Sequence, residues 1–156
     1  MSTRDPTVPA LRLADHKFFH GMSGELLAVL GEHAHPRRFE TGQLLVREGD
    51  PADEFLVLFE GKVALEILSP DRPRTTIQTL GPGEVLGWSW LFAPHRWRLD
   101  ARALKPTRAL GIGAAHLRAT LEARPADGYR FLMRLLPVIA QRLENTRLQL
   151  MDLHGP

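Results

Sequence analysis

From residue 37 to residue 112 the chain cannot sustain a long helix. Its apolar runs are short, and glycine closes them: Gly42, Gly49, Gly61, Gly81, Gly83 and Gly87. Between the glycines lie runs at 44–47, 55–59, 62–68, 75–80, 85–86, 99–104 and 109–112. Short strands at near-regular spacing predict a mainly β domain, a barrel or jelly roll. Gly49-Asp50 and Glu60-Gly61 are turn pairs, and residues 69–73 form a hairpin tip between two strands.

The flanks follow a different period. Residues 1–17, with Pro6 and Pro9, read as a loose arm that ends in a short helical turn near residues 11–15. Phe18 and Phe19 form an apolar plug. Ser23 is an N-cap for a helix carrying Leu26, Leu27 and Leu30 on one face, and Pro36 ends any continuation. The barrel is expected over about 36–113 and the C-terminal helices over about 114–154. A short helix at 116–123 closes before Pro125, and a long one runs from about 126 to 153. Along the long helix Leu132, Leu136, Ile139, Leu143, Thr146, Leu150 and Leu153 recur at 4,3,4,3,4,3. That heptad seam points to a partner helix, and so to a homodimer through the last helix; the plainer reading packs it on the chain's own barrel. Pro137 falls inside the pattern, which predicts a kink or a fresh helix start.

Composition removes several classes. With 156 residues the chain is one domain, long enough to bury a core without staples. It has no cysteine, which excludes disulfides, thiolate metal sites and cysteine nucleophiles. Twenty basic and 18 acidic residues give a net charge of +2, too balanced for a polyanion binder on charge alone. No run reaches the ~18 apolar residues of a membrane span, and the N-terminus is no secretory signal. A cytoplasmic location is expected, with no membrane partner.

All three tryptophans lie in one stretch, residues 80–104, LGPGEVLGWSWLFAPHRWRLDARAL. A loop that gathers Trp88, Trp90, Phe92, His95, Arg96, Trp97 and Arg98 is built to meet something. With that stretch go FFHGMSGELLAVL at the start of the domain, RRFETGQLLVREGDPADEFLVLFEGKVAL with its Glu48-Gly49-Asp50, and MRLLPVIAQRLENTRLQLMDL at the end. Together these resemble the cyclic nucleotide-binding domain of the cyclic-AMP receptor protein/Fnr superfamily, over about residues 18–153. The resemblance implies a sensor fold: a jelly roll with an N-terminal helix and C-terminal helices, the last of them long. LGPGEVLG would be the approach to the phosphate-binding cassette.

The cassette departs from that family where its chemistry lies. The glutamate that takes a ribose hydroxyl would follow Gly87, and Trp88 stands there. The arginine that pairs with the cyclic phosphate falls at Trp97, and in a strand Arg96 and Arg98 would face the opposite way. The pocket implied by the resemblance comprises Gly87, Trp88, Ser89, Arg96, Trp97, Arg98, Arg142 and Thr146. Thr146 matches a threonine that contacts adenine, or else sets helix register. Arg142 could supply a charge, although a solvated rim position is the plainer expectation. Without an acid and an arginine in the cassette, ordinary cyclic-AMP binding should be lost or severely weakened. No helix-turn-helix follows the last helix in this sequence, so direct DNA binding is not expected.

Other constellations of residues carry competing readings. The tryptophans could be core or interface rather than a ring-lined pocket; in an extended run Trp88 and Trp90 would share a face, in a short helix they would splay. His33, His35 and Glu40 resemble the first metal motif of cupins but lack a second. Ser89, His95 and Asp100 hold the elements of a hydrolytic triad without a nucleophile elbow. The expected function is a non-enzymatic regulatory or sensor module acting through protein contacts. The alternatives are a working cyclic nucleotide receptor with an unusual cassette and, third, a cupin-like metal enzyme. No resident cofactor is expected, while the pocket is open to a cyclic nucleotide or another small ligand.

Overall fold

Glycine turns and short apolar runs fold as two antiparallel sheets. A computed structural model describes residues 11–154. One sheet has the order β1-β7-β3, from β1 (Ala34–Phe39), β3 (Glu54–Glu60) and β7 (Thr107–Gly113). The other has the order β2-β6-β4-β5, from β2 (Leu44–Val46), β4 (Val63–Ser69), β5 (Arg72–Leu80) and β6 (Asp100–Ala103). This is the jelly roll that the glycine spacing predicts. The hairpin tip closes between Ser69 and Arg72, which pair directly.

β1 was not among the expected runs. It begins two residues before Pro36, and Pro36 itself pairs with Leu110. Pro36 therefore does not mark the end of the preceding helix, which stops at Glu32. A proline fits here because β1 is an edge strand, whose outer side needs no donor.

Helix α1 (Gly24–Glu32) starts as expected: the Ser23 hydroxyl accepts from the Leu26 N–H, and Leu26 and Leu30 are buried. Residues 1–10 of the expected arm lie outside the described residues. The rest of that arm is not loose. Leu13 and His16 are buried, in and beside two short 3-10 turns, Leu13–Asp15 and Lys17–Phe19. The plug holds: Phe18 meets Phe55 and Phe131 edge-on, with ring centres 5.5 and 5.2 Å apart.

Helix α2 (Ala114–Ala123) is followed at once by α3 (Pro125–His154). The helix runs through Pro137 as one element, so no fresh start occurs there. Its buried side chains are not those of the heptad seam. Phe131, Leu135 and Arg142 pack inward, with Val138 half-buried between them. Leu132, Leu136, Leu143 and Leu150 face out, at 41, 53, 70 and 53% exposure. Ile139 and Thr146 are half-buried, and of Leu153 only the helical backbone is described. Of the seam, Ile139 packs against the core, while Leu132, Leu136, Leu143 and Leu150 stay off the barrel.

Candidate functional site

The site begins on β3. Its backbone holds the segment before Gly87 by three bonds: Leu58 N–H to the Glu84 carbonyl, Gly83 N–H to Leu58, and Leu86 N–H to Leu56. Val85 and Leu86 are buried by this pairing. Gly87 then turns with φ of 145°, in the region that favours glycine. A Cβ there would stand 3.0 Å from Arg142 Nη1 and 3.6 Å from Trp97.

After Gly87 the chain makes a tight turn, closed by Leu91 N–H to the Trp88 carbonyl at 2.9 Å. The turn separates the two tryptophans, so they do not share a face. Trp90 is fully buried against Phe55 and Phe131, and its indole N–H donates to the Gly87 carbonyl at 2.8 Å. Trp90 is core. Trp88 is half-buried and faces α3.

Trp97 is buried, and its backbone is clamped in both directions: its N–H donates to Asp50 and its carbonyl accepts from Gly49. With Trp97 inward, Arg96 and Arg98 are exposed. Arg96 donates to the Gly49 carbonyl at 2.8 Å, along the outside of the turn. The hollow beside Trp97 holds about 230 Å³ and is walled by Asp50, Asp53 and Glu54 as well as Arg37, which is paired to Glu54. Burial raises the Glu54 carboxyl above its usual range, against the pull of Arg37. That rim is acidic, the wrong sign for a phosphate.

Arg142 is the correction of most consequence. It is not a solvated rim residue; it is 5% exposed, the last buried side chain of α3 among the described residues. Its Nε donates to Gln78 Oε1 at 3.3 Å and its Nη1 to the Leu86 carbonyl at 3.1 Å. The guanidinium lies over the Trp88 ring, 4.7 Å from its centre. Such a contact in a desolvated place is worth up to ~2 kcal/mol. Nη2 is buried and has no hydrogen-bond partner. Burial lowers the guanidinium to about 10, opposed by the charge of Glu84, so it stays cationic at neutral pH. Gly87, Trp88, Trp97 and Arg142 therefore meet at one point. Thr146 lies one turn beyond Arg142 and is half-buried; its hydroxyl donates to the Arg142 carbonyl at 2.9 Å. Ser89 is half-buried in the turn.

Sequence reasoning missed Gln78, the side chain that orients Arg142. Nothing in the alternation of β5 distinguishes it from its neighbour Ile77, which is also half-buried. The depth of Arg142 was not legible either, because it follows from which of two stripes of α3 turns inward.

The other constellations do not assemble. His33 is stacked on His116, ring centres 3.3 Å apart, while His35 lies exposed on β1. Among the described residues no three His, Asp or Glu converge as a metal site would require. Asp100 is buried and accepts the Glu48 N–H at 2.8 Å, and no hydrogen bond joins it to His95 or Ser89. No helix of the described residues is long and apolar enough to cross a membrane.

With two sheets, a glycine-led turn and a capping last helix in place, the class is defined. Residues 36–124 match the cyclic nucleotide-binding domain family, and the chain belongs to it, in its cyclic-AMP receptor protein/Fnr branch. Among curated proteins it is 28% identical over 141 residues to a CRP-like cAMP-activated global transcriptional regulator of Mycobacterium tuberculosis, covering 90% of this chain and 61% of that protein. It is 34% identical over 80 residues to the acetyltransferase Pat of Mycolicibacterium smegmatis, covering 51% of this chain and 24% of the enzyme. The chain thus spans less than two thirds of these relatives. Among solved structures, the N-terminal domain of a transcriptional regulator from Streptomyces coelicolor shares 30% identity with a TM-score of 0.65, over 88% of this chain and 94% of that domain.

Proposed function

We propose that this chain is a non-enzymatic regulatory module of the cyclic nucleotide-binding fold whose pocket has lost its ordinary grip on cyclic AMP. The observation that carries the reading is the meeting of Trp88, Trp97 and Arg142 at Gly87. Indole rings stand where the family resemblance calls for an acid and an arginine. The chain's own guanidinium lies over the Trp88 ring, where sugar and phosphate would need room. Arg96 and Arg98 stay outside, and the hollow beside Trp97 has an acidic wall.

A signal then leaves through protein contacts. The exposed apolar seam of α3 supports pairing with a second copy of the chain, since Leu132, Leu136, Leu143 and Leu150 remain uncovered by the barrel. The matches to a transcriptional regulator and to an acetyltransferase support a controlling role beside different outputs.

The competing reading is a working cyclic nucleotide receptor, favoured by the positive charge on Arg142. Calorimetric titration with cyclic AMP and cyclic GMP separates the two. We expect no saturable heat in the micromolar range; micromolar binding of either nucleotide would overturn the proposal.

A further inference from the structure

We infer that the hollow beside Trp97 is a binding site for a small aliphatic ammonium that also carries an oxygen acceptor, an amino alcohol in the simplest case. This deepens the proposed function by naming a ligand class for the altered barrel, and it rests on Trp97 standing inward as described above.

The wall of the hollow is negative. Asp50, Asp53 and Glu54 line it with a single guanidinium, that of Arg37, which is paired to Glu54. The carboxylates of Asp50 and Asp53 hold no hydrogen bond or ion pair with any described residue. Arg96 does not neutralise them; it is spent on the Gly49 carbonyl. The rim is also fixed in place, since the Asp50 carbonyl accepts the Trp97 N–H and the Asp50 N–H donates to Arg47 at 3.1 Å. Glu54 is half-buried, and burial and the charge of Asp53 both raise its carboxyl. A cation in the hollow would offset both effects.

Acidic side chains on a turn are ordinary by themselves. Trp97 supplies the independent observation. It is 5% exposed, yet its indole N–H donates to no described residue, whereas that of Trp90 is spent on the Gly87 carbonyl. Nor is that donor sealed: among the described residues the sealed and unmatched side-chain atom is Arg142 Nη2. Cζ3, at the benzo end of the ring, faces Gly87, 3.6 Å from where a Cβ would stand, so the nitrogen end points away from Gly87. The hollow is the space that Trp97 lines, and an oxygen seated there would meet the N–H.

Size and lining narrow the class. The hollow holds about 230 Å³, below the roughly 300–1,000 Å³ of sites for drug-sized ligands. Leu45 and Leu56, both buried, give it an apolar wall. A short carbon chain fits that wall, with its ammonium among the carboxylates and its oxygen at the indole. An anion would meet the wrong charge, and a neutral alcohol would leave the carboxylates unmatched.

The test titrates the whole chain with 4-amino-1-butanol at neutral pH and constant ionic strength, followed by the indole N–H resonances, each assigned through its own backbone. Two isosteres run beside it: pentylamine lacks the acceptor and 1-pentanol lacks the charge. The amino alcohol should shift the Trp97 resonance and saturate. Pentylamine should bind more weakly, and pentanol should leave the spectrum unchanged. The double variant Asp50→Asn, Asp53→Asn removes two exposed carboxylates that hold nothing in the fold, and it should weaken binding by about tenfold or more. Asp71→Asn, at the exposed hairpin tip, should leave the affinity unchanged. No saturable shift, a shift at Trp88 in place of Trp97, equal binding of pentylamine or pentanol, or undiminished binding in the double variant overturns the inference. The two proposals fail separately. A silent amine titration leaves the lost grip on cyclic AMP standing, and micromolar cyclic AMP binding beside an intact amine response overturns only the latter reading.

Discussion

The two faces of α3 carry similar residues and meet opposite fates. The inner stripe, Phe131, Leu135, Val138 and Arg142, is taken up by the barrel. The outer stripe, Leu132, Leu136, Ile139 and Leu143, begins one residue later, about 100° around the helix. By hydrophobicity alone the outer stripe should win, since it holds no charge over those four positions. The barrel takes the other stripe, because Phe131 interlocks with Phe18, Phe55 and Trp90 and Arg142 reaches the turn at Gly87. Shape and hydrogen-bond complementarity outrank the count of apolar side chains when both faces are amphipathic.

The comparison is broken most forcefully at Phe131. Phe131→Ala removes the ring on which the inner face centres, and chemical unfolding should show a loss of about 3–5 kcal/mol. A change below 1 kcal/mol would mean the helix is not anchored there. Gly87→Ala is next. The new methyl meets Arg142 in a backbone region hostile to alanine, so a loss of about 1–3 kcal/mol is expected by the same measurement.

Acid sharpens the comparison at the N-terminal end of the inner cluster. His16 is buried, its Nε2 donating to the Leu58 carbonyl at 2.8 Å and its Nδ1 accepting from the Phe18 N–H at 3.1 Å. Burial lowers its pKa below the ordinary 6.5, the carbonyl contacts opposing. The folded chain therefore binds a proton less readily than the unfolded one. Stability is fully present above about pH 6.5 and declines as pH falls from there toward the folded pKa. His16→Gln should flatten that slope in unfolding curves taken across the range.

The smallest effect on folding belongs to the outer face. Leu143→Glu should change chain stability by no more than about 0.5 kcal/mol. The proposed pairing of α3 with a second copy predicts that the same substitution shifts the sedimenting species from dimer to monomer. A large loss of stability in a monomeric variant would show that the outer stripe packs within its own chain after all.

Much of the fold was legible because local chemistry agreed with the final arrangement. Ser23 caps α1 with a short-range bond, and β4 and β5 pair as a hairpin of sequence neighbours. β1 escaped because a proline argues against a strand unless its edge position is known, and that position is a property of the sheet. The prolines of the arm argue for a loose segment; His16 is fixed by a residue far along the chain, Leu58. At the site, Trp88 and Trp97 were visible at the positions where the family resemblance implies an acid and an arginine. That Trp90 belongs to the core, and that Arg142 lies beneath the surface, was not.

The sequence by itself determined the strand rhythm, the caps and the absence of the expected acid and arginine from the cassette, because each is a matter of residue identity at short spacing. Which of two stripes on α3 would turn inward, and whether Arg142 would meet water or an indole ring, depended on contacts between the turn at Gly87 and a side chain more than fifty residues later. Those contacts exist only once the barrel has closed, since the groove that selects a stripe is made by strands from the whole length of the domain.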